Sequence, residues 1–201
     1  MADHENTWDK LLQIKTTGRD DSKAGQDCYP YEATPYPVLE RLANDGLIRK
    51  KDVVLDYGCG KGRVDFFLSY QTKAKAIGIE YDERLYQSAL ENQKTAVSRA
   101  KTAFAATRAE TYTVPAEVNR YYFFNPFSVE ILRRVLARMV ESYHANPREM
   151  LLFFYYPSEA YLSCLTEMEE LEFYDEIDCR DLFAGDDPRE RIVVYKMGEK
   201  N

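Results

Sequence analysis

The segment that most constrains this chain is Val53-Val54-Leu55-Asp56-Tyr57 followed by Gly58-Cys59-Gly60-Lys61-Gly62-Arg63. A short apolar run bounded in this way reads as a buried strand. Glycines at alternate positions after it make a sharp turn where the backbone approaches a ligand without Cβ atoms in the way. A helical pattern follows, so the free N–H groups of a helix N-terminus face the same ligand. The plain alternative is a glycine-rich turn that binds nothing, and Glu80 argues against it. A second apolar run, Ala76-Ile77-Gly78-Ile79, ends in Glu80, 20 positions after Gly60. A doubly wound sheet places an acid there to accept hydrogen bonds from ribose hydroxyls.

The third glycine separates two ligand classes. A dinucleotide fingerprint reads G-x-G-x-x-G, with a small residue where the helix packs on the strand. Counted from Gly58 and Gly60, that position is Arg63, too large for close packing, so NAD or FAD is the weaker reading. The tighter Gly58-x-Gly60-x-Gly62 spacing, with Asp56 ahead of it, resembles motif I of class I S-adenosylmethionine (SAM)-dependent methyltransferases. The resemblance implies SAM as cofactor, with Asp56, Gly58, Gly60 and Gly62 cradling its methionine and ribose. It also implies Glu80 as ribose ligand and Tyr81 lying against the adenine.

From Val53 onward strand and helix patterns alternate, the signature of a parallel sheet covered by helices on both faces. Strands are expected at Val53 to Tyr57, Lys75 to Glu80, Thr102 to Ala106, Tyr121 to Phe124 and Met150 to Tyr155. Helices are expected near Arg63 to Ser69, after an Asp82 cap, after a Ser128 cap and from Ser158 to about Glu170. Leu171 to Ile177 and Arg191 to Lys196 are joined by a turn at Gly185-Asp186-Asp187-Pro188, with no room for a crossover helix, so they pair antiparallel. The expected fold class is α/β: a Rossmann-like, doubly wound, seven-stranded, mostly parallel sheet with an antiparallel C-terminal strand pair.

Residues 1–28 are polar with brief apolar content around Trp8, Leu11 and Leu12, and read as a flexible N-terminal arm; 29–201 read as the methyltransferase domain. Between them, Tyr29 to Pro37 mixes prolines with aromatics and leads into a helix carrying Val38, Leu39, Leu42 and Ala43. Such a segment can cover the cofactor pocket, with Thr34 near the SAM carboxylate, or merely pack the sheet edge. Exchange of this arm between subunits leaves a homodimer open.

Strand four runs into Asn125-Pro126-Phe127-Ser128. Ligands of open α/β sheets react outside the carboxyl ends of strands, which places this run at the reacting end. It is similar to the Asn-Pro-Pro-Tyr motif of methyltransferases that act on amide or exocyclic amino nitrogens. That likeness implies Asn125, Pro126 and Phe127 as catalytic residues, with Asn125 also beside the cofactor, and a methyl transfer driven by positioning. The match is partial, with one proline instead of two and Phe127 and Ser128 in the last places. The structural alternative is that Asn125-Pro126 ends the strand and Ser128 caps the next helix. At the end of strand three, where the family commonly keeps an acid for the adenine amino group, the chain reads Thr107-Arg108-Ala109-Glu110, with Arg108 at the acid's place and Glu110 displaced by two, so that adenine is contacted by backbone groups alone or the site has decayed. Tyr155 and Tyr156 are expected to wall the substrate pocket, where aromatic rings suit a cationic sulfonium or ammonium.

Composition narrows the partners. The formal net charge is −7 and there are only 2 histidines and 4 cysteines, Cys28, Cys59, Cys164 and Cys179, with no C-x-x-C. Acidity argues against a long nucleic-acid footprint, and the scattered ligating residues argue against a metal. The apolar runs are too short to span a bilayer and no signal peptide is visible, so a cytoplasmic protein without membrane contact is expected. The functional expectation is a SAM-dependent methyltransferase acting on a nitrogen of a protein side chain or small molecule. The Tyr31-x-x-Thr34-Pro35 lead-in and Asn-Pro-Phe run look like small bacterial methyltransferases and the lysine-directed branch of the superfamily. A degenerate SAM-binding protein acting by interaction is the second reading, and an NAD-dependent oxidoreductase the third.

Overall fold

The computed structural model describes residues 2–18 and 31–198. Seven strands, β1 (Val53–Tyr57), β2 (Lys75–Glu80), β3 (Thr102–Ala106), β4 (Arg120–Phe123), β5 (Met150–Tyr155), β6 (Leu171–Asp178) and β7 (Arg191–Met197), form one sheet. Their order is β3-β2-β1-β4-β5-β7-β6. The first five are parallel, and β7 runs antiparallel between β5 and β6. The helices are α1 (Ala2–Leu12), α2 (Tyr36–Asn44), α3 (Arg63–Thr72), α4 (Glu83–Thr95), α5 (Val129–Ala145) and α6 (Glu159–Thr166). The α/β class, strand count and antiparallel ending follow the sequence pattern.

Every residue of β1 and of β5 is buried, as a strand covered on both faces requires. Because successive side chains point to opposite faces, each strand divides between two cores. Val54, Leu151, Phe153 and Tyr155 pack with Leu12, Leu39 and Phe67 under α1–α3. Leu55, Leu152 and Phe154 pack with Leu136, Met139 and Leu165 under α5 and α6.

Residues 2–18 differ from the loose arm read in the sequence. Leu12 is fully buried, a burial worth about 1.5–3 kcal/mol. The Trp8 ring meets Phe67 edge-on at 4.8 Å and its Nε1 donates to Glu40 at 2.7 Å. The first apolar positions are too few to mark a helix, but α3 supplies the surface that accepts them. Tyr29, Pro30 and Cys28 lie outside the described residues. Smaller differences are a β4 that starts at Arg120 and an α6 that ends at Thr166. Ser128 stands at the N-cap of α5 without a side-chain cap bond, whereas Asp82 caps α4 by accepting from Arg84 N at 2.9 Å.

From β1 the chain builds outward through β2 to β3, then returns to add β4 on the other side of β1. The reversal opens a crevice at the carboxyl ends of β1 and β4, the place where such sheets bind ligands.

Candidate cofactor and methyl-transfer site

A cavity of about 390 Å³ occupies that crevice. Gly58, Gly60 and Gly62 all have positive φ, 75°, 54° and 84°. The turn is pinned from below, since Gly58 N and Cys59 N both donate to Ile79 O, at 2.9 and 3.1 Å. A Cβ on Gly58 would lie 2.6 Å from Pro126 Cβ, so this glycine lets the turn after β1 touch the Asn-Pro-Phe run after β4. The other two glycines serve differently. A Cβ on Gly60 would lie 2.1 Å from the ring of Tyr31, and one on Gly62 would lie 2.8 Å from the rings of Phe104 and Phe66.

Glu80 is fixed by three backbone donors. Its Oε2 accepts from Gly60 N at 2.9 Å, and its Oε1 accepts from Tyr81 N and Asp82 N, each at 2.8 Å. Burial pushes its titration upward, and the three N–H groups oppose this by favouring the charged form. Oε2 retains an accepting lone pair for a ligand hydroxyl.

The structure brings Thr34, Asp56, Gly58, Glu80, Tyr81, Asn125, Pro126 and Phe127 to the cavity wall. Thr34 Oγ1 is 3.0 Å from Tyr122 Oη, and its carbonyl accepts from Arg63 at 3.1 Å. Gly60 and Gly62 shape the loop without lining the cavity. Tyr155 and Tyr156 are not among the residues that line it. Tyr155 points into the core beneath α1–α3 and donates to Glu190 at 2.7 Å. Tyr156 turns out at φ 51° and donates to Asp187 at 2.6 Å.

Asn125 also has a positive φ, 41°. Its Nδ2 donates to Tyr156 O at 2.6 Å and its Oδ1 accepts from Ser158 N at 3.3 Å. The carboxamide therefore ties the loop after β4 to the loop after β5, with a lone pair of Oδ1 left over.

Three basic side chains stand in the wall: Arg63 and Arg108, which the sequence marked only as departures from family patterns, and Arg84, which sequence reasoning overlooked. Each has an acid. Arg84 Nη2 donates to Asp82 at 2.6 Å, and Arg108 Nε donates to Glu110 at 2.8 Å while lying 4.8 Å from the Tyr81 ring centre. Burial raises Glu110, but Arg108 outweighs it and holds the carboxyl below its usual range. Arg63 is buried in the first turn of α3, donating to Glu5, to Thr16 Oγ1 at 2.7 Å and to Thr34 O. The pairing with Glu5 and Thr16 spans 58 and 47 positions, beyond any local signal.

Asp56 differs from these pairs. It is 3% exposed, its buried Oδ2 has no hydrogen-bonding partner, and Asp65 on α3 is wholly buried with neither carboxyl oxygen partnered. Burial raises both carboxyls, and Asp65 is raised further by the neighbouring Asp56. Among the described residues no cluster of His, Cys, Asp and Glu is arranged to hold a metal ion, and no helix is long and apolar enough to cross a membrane.

No family model matches the chain. A protein-lysine N-methyltransferase of Saccharolobus islandicus is 33% identical over 64 residues, which is 31% of this chain and 40% of that enzyme. Solved structures align more broadly. The TehB-like SAM-dependent methyltransferase of Corynebacterium glutamicum covers 98% of this chain and 99% of its own, at 17% identity and a TM-score of 0.57. An RNA methyltransferase of Salinibacter ruber, solved with S-adenosyl-L-homocysteine, covers 85% and 96%, at 17% identity and a TM-score of 0.60. With its strand order, its switch-point cavity and these neighbours, the chain has the fold of the class I SAM-dependent methyltransferases.

Proposed function

We propose that this protein is a SAM-dependent methyltransferase whose acceptor is a nitrogen of a protein side chain or small molecule. The observation that carries this reading is one cavity joining Gly58, Glu80 and Asp56 to Asn125-Pro126-Phe127. The donor set fits the cofactor: the turn has room only for glycine, Glu80 has a free lone pair, and the buried Oδ2 of Asp56 has no partner. When bound, SAM supplies a methyl group on a sulfonium already activated toward a nitrogen lone pair.

The chain's own residues would bind, orient and exclude water. Glu80 would accept from ribose hydroxyls, Thr34 and Asp56 would meet the methionine end, and Tyr81 would lie against the adenine, with Arg108 and Glu110 beside it. Gly60 and Gly62 would hold the loop's shape. Asn125 Oδ1 would orient the acceptor N–H, and Pro126 and Phe127 would wall the approach. Holding two reactants in line is worth ~7 kcal/mol or more of barrier, so a positioning site suffices. The lysine specificity of the Saccharolobus islandicus relative supports an amine acceptor. The net charge of −7 supports a protein or small molecule over long nucleic acid.

A second reading, a SAM-binding protein without turnover, is favoured by the engagement of Asn125 with Tyr156 and Ser158. Titration calorimetry with SAM and S-adenosylhomocysteine tests the shared part: binding of neither at millimolar concentration removes both readings. Mass spectrometry of cell extract incubated with isotopically labelled SAM then separates them, since transfer of label to a nitrogen is expected of the enzyme alone.

A further inference from the structure

Asn125 after β4 and Tyr156 after β5 both take a positive φ, 41° and 51°. Asparagine enters the left-handed region readily, because its short polar side chain bonds locally. A tyrosine there is an outlier, and such a conformation persists only where the surroundings hold it. Three contacts hold this one. Tyr156 N donates to Arg191 O on β7 at 3.0 Å, its Oη donates to Asp187 at 2.6 Å, and the Arg189 guanidinium carbon lies 4.3 Å from its ring centre. Arg191, Asp187 and Arg189 all stand outside the cavity wall.

The consequence falls on Asn125. Tyr156 O accepts from Asn125 Nδ2 at 2.6 Å, and Ser158 N donates to Asn125 Oδ1 at 3.3 Å. A carboxamide can stand either way round, but the flipped form here would set Oδ1 against a carbonyl oxygen and Nδ2 against an N–H. The loop after β5 therefore allows one orientation. It leaves Oδ1 with an accepting lone pair on a residue of the cavity wall. Phe124, in the same wall, meets the Tyr156 ring edge-on at 6.5 Å.

We propose that Tyr156 is a positioning residue for methyl transfer: its left-handed backbone, anchored by Asp187 and Arg191, fixes the Asn125 carboxamide with Oδ1 toward the acceptor nitrogen. This rests on the methyltransferase reading, in which Asn125 meets the acceptor. An amine held through its N–H keeps its lone pair free for the methyl group, and a carboxamide turned round would offer it a second donor instead. Misplacing a reacting group by about 1 Å costs about 100-fold in rate. Loss of the anchor is therefore felt in turnover and not in cofactor affinity.

Two variants of the full chain that lose the same ring separate the backbone from the packing. Valine, branched at Cβ, disfavours the positive φ, whereas asparagine accepts it. Methyl incorporation from isotopically labelled SAM into cell extract, at saturating SAM, is expected to be at least about tenfold lower for Tyr156→Val than for Tyr156→Asn. The SAM Kd from calorimetry should agree within about threefold among both variants and wild type, a split that a merely structural role would not give. Asp187→Ala removes the anchor of the hydroxyl from the loop between β6 and β7, and decides the question if the valine variant does not fold. It should lower incorporation at least about threefold with the SAM Kd unchanged. Equal incorporation by the valine and asparagine variants overturns the proposal and leaves the enzyme reading intact. So does SAM affinity that falls in step with incorporation, or wild-type incorporation by Asp187→Ala. Wild type that binds SAM and transfers no label overturns the enzyme reading and this proposal with it.

Discussion

Replacing Arg63 with methionine should detach the N-terminal helix from the cofactor loop. The guanidinium has 4% of its side chain exposed and donates to Glu5, to Thr16 Oγ1 at 2.7 Å and to Thr34 O at 3.1 Å. Its carbon lies 4.3 Å from the Tyr36 ring centre, and Nη2 is 3.9 Å from Asp9 Oδ1. Methionine fills most of the volume, so packing is largely kept and the loss is electrostatic. Breaking a buried pair from one side costs about 3–5 kcal/mol. Glu5 retains 18% side-chain exposure, and water can partly solvate it, which places the cost near the low end, ~3 kcal/mol. For a chain of this size that is a fall in Tm of roughly 6–12 °C. Thermal and urea unfolding measure it. Hydrogen exchange should locate the loss in amides of 2–12 ahead of the central strands, since local opening precedes global unfolding. Adding Glu5→Gln removes the charge left unpaired, so the double variant should cost at least about 1 kcal/mol less than the sum of the singles. A methionine variant within about 1 kcal/mol of wild type, or strictly additive costs, would refute the clamp.

The remaining predictions concern the loop, the reacting end and pH. Gly58→Ala pushes a Cβ to within 2.6 Å of Pro126, and calorimetry should show SAM binding at least about tenfold weaker, about 1.4 kcal/mol or more. Gly46→Ala is its control, with φ +86° but open space around it. It should carry only the backbone penalty of about 1–2 kcal/mol in unfolding and leave SAM binding unchanged. Asn125→Ala frees Tyr156 O and Ser158 N; methyl transfer to an identified acceptor should be abolished while the SAM Kd stays within about threefold, or roughly 0.7 kcal/mol. Unchanged turnover would remove Asn125 from the reacting set. The Asp56–Asp65 pair makes stability fall as pH rises. Both folded carboxyls titrate above the ordinary 3.8, so their contribution is fully present below that value and is lost through the folded titration, near 7 for Asp56. Asp65→Asn should match wild type in Tm near pH 4 and exceed it at about pH 8; the reverse order would refute the raised titration of the buried carboxyl.

The sheet was legible in the sequence because a strand covered on both faces reads as a mostly apolar run, as β1, interrupted only by Asp56, and β5 do. The antiparallel ending was legible from a loop too short for a crossover helix. The N-terminal helix was not. Its inward groups include Asp9, which accepts from Thr16 N and Oγ1 and from Tyr36 Oη at 2.6–2.7 Å. A helix that buries acids against an arginine far along the chain has no hydropathy signal. The placement of Tyr155 and Tyr156 away from this cavity was hidden for a related reason. Strand alternation says which residues share a face, but Tyr155 falls on the α1–α3 face and the positive φ of Tyr156 breaks the alternation after it.

Arg63 shows how one residue argued against one ligand and hid a positive role. In the sequence its size alone argued against a dinucleotide turn, where a small residue lets the helix pack closely. The structure adds why size is tolerated here: Glu5, Thr16 and the Thr34 carbonyl surround the guanidinium, so the site is closed by the N-terminal segment instead of a glycine contact. That arrangement engages the Arg63 cation elsewhere and leaves Asp56 on the cavity wall with no hydrogen-bonding partner for its buried Oδ2. The cost of a buried carboxylate without a counter-charge is then lowered by whatever cation enters. A cationic cofactor meets that need and a dinucleotide pyrophosphate does not, so the arginine that argues against one ligand also leaves the charge that favours the other.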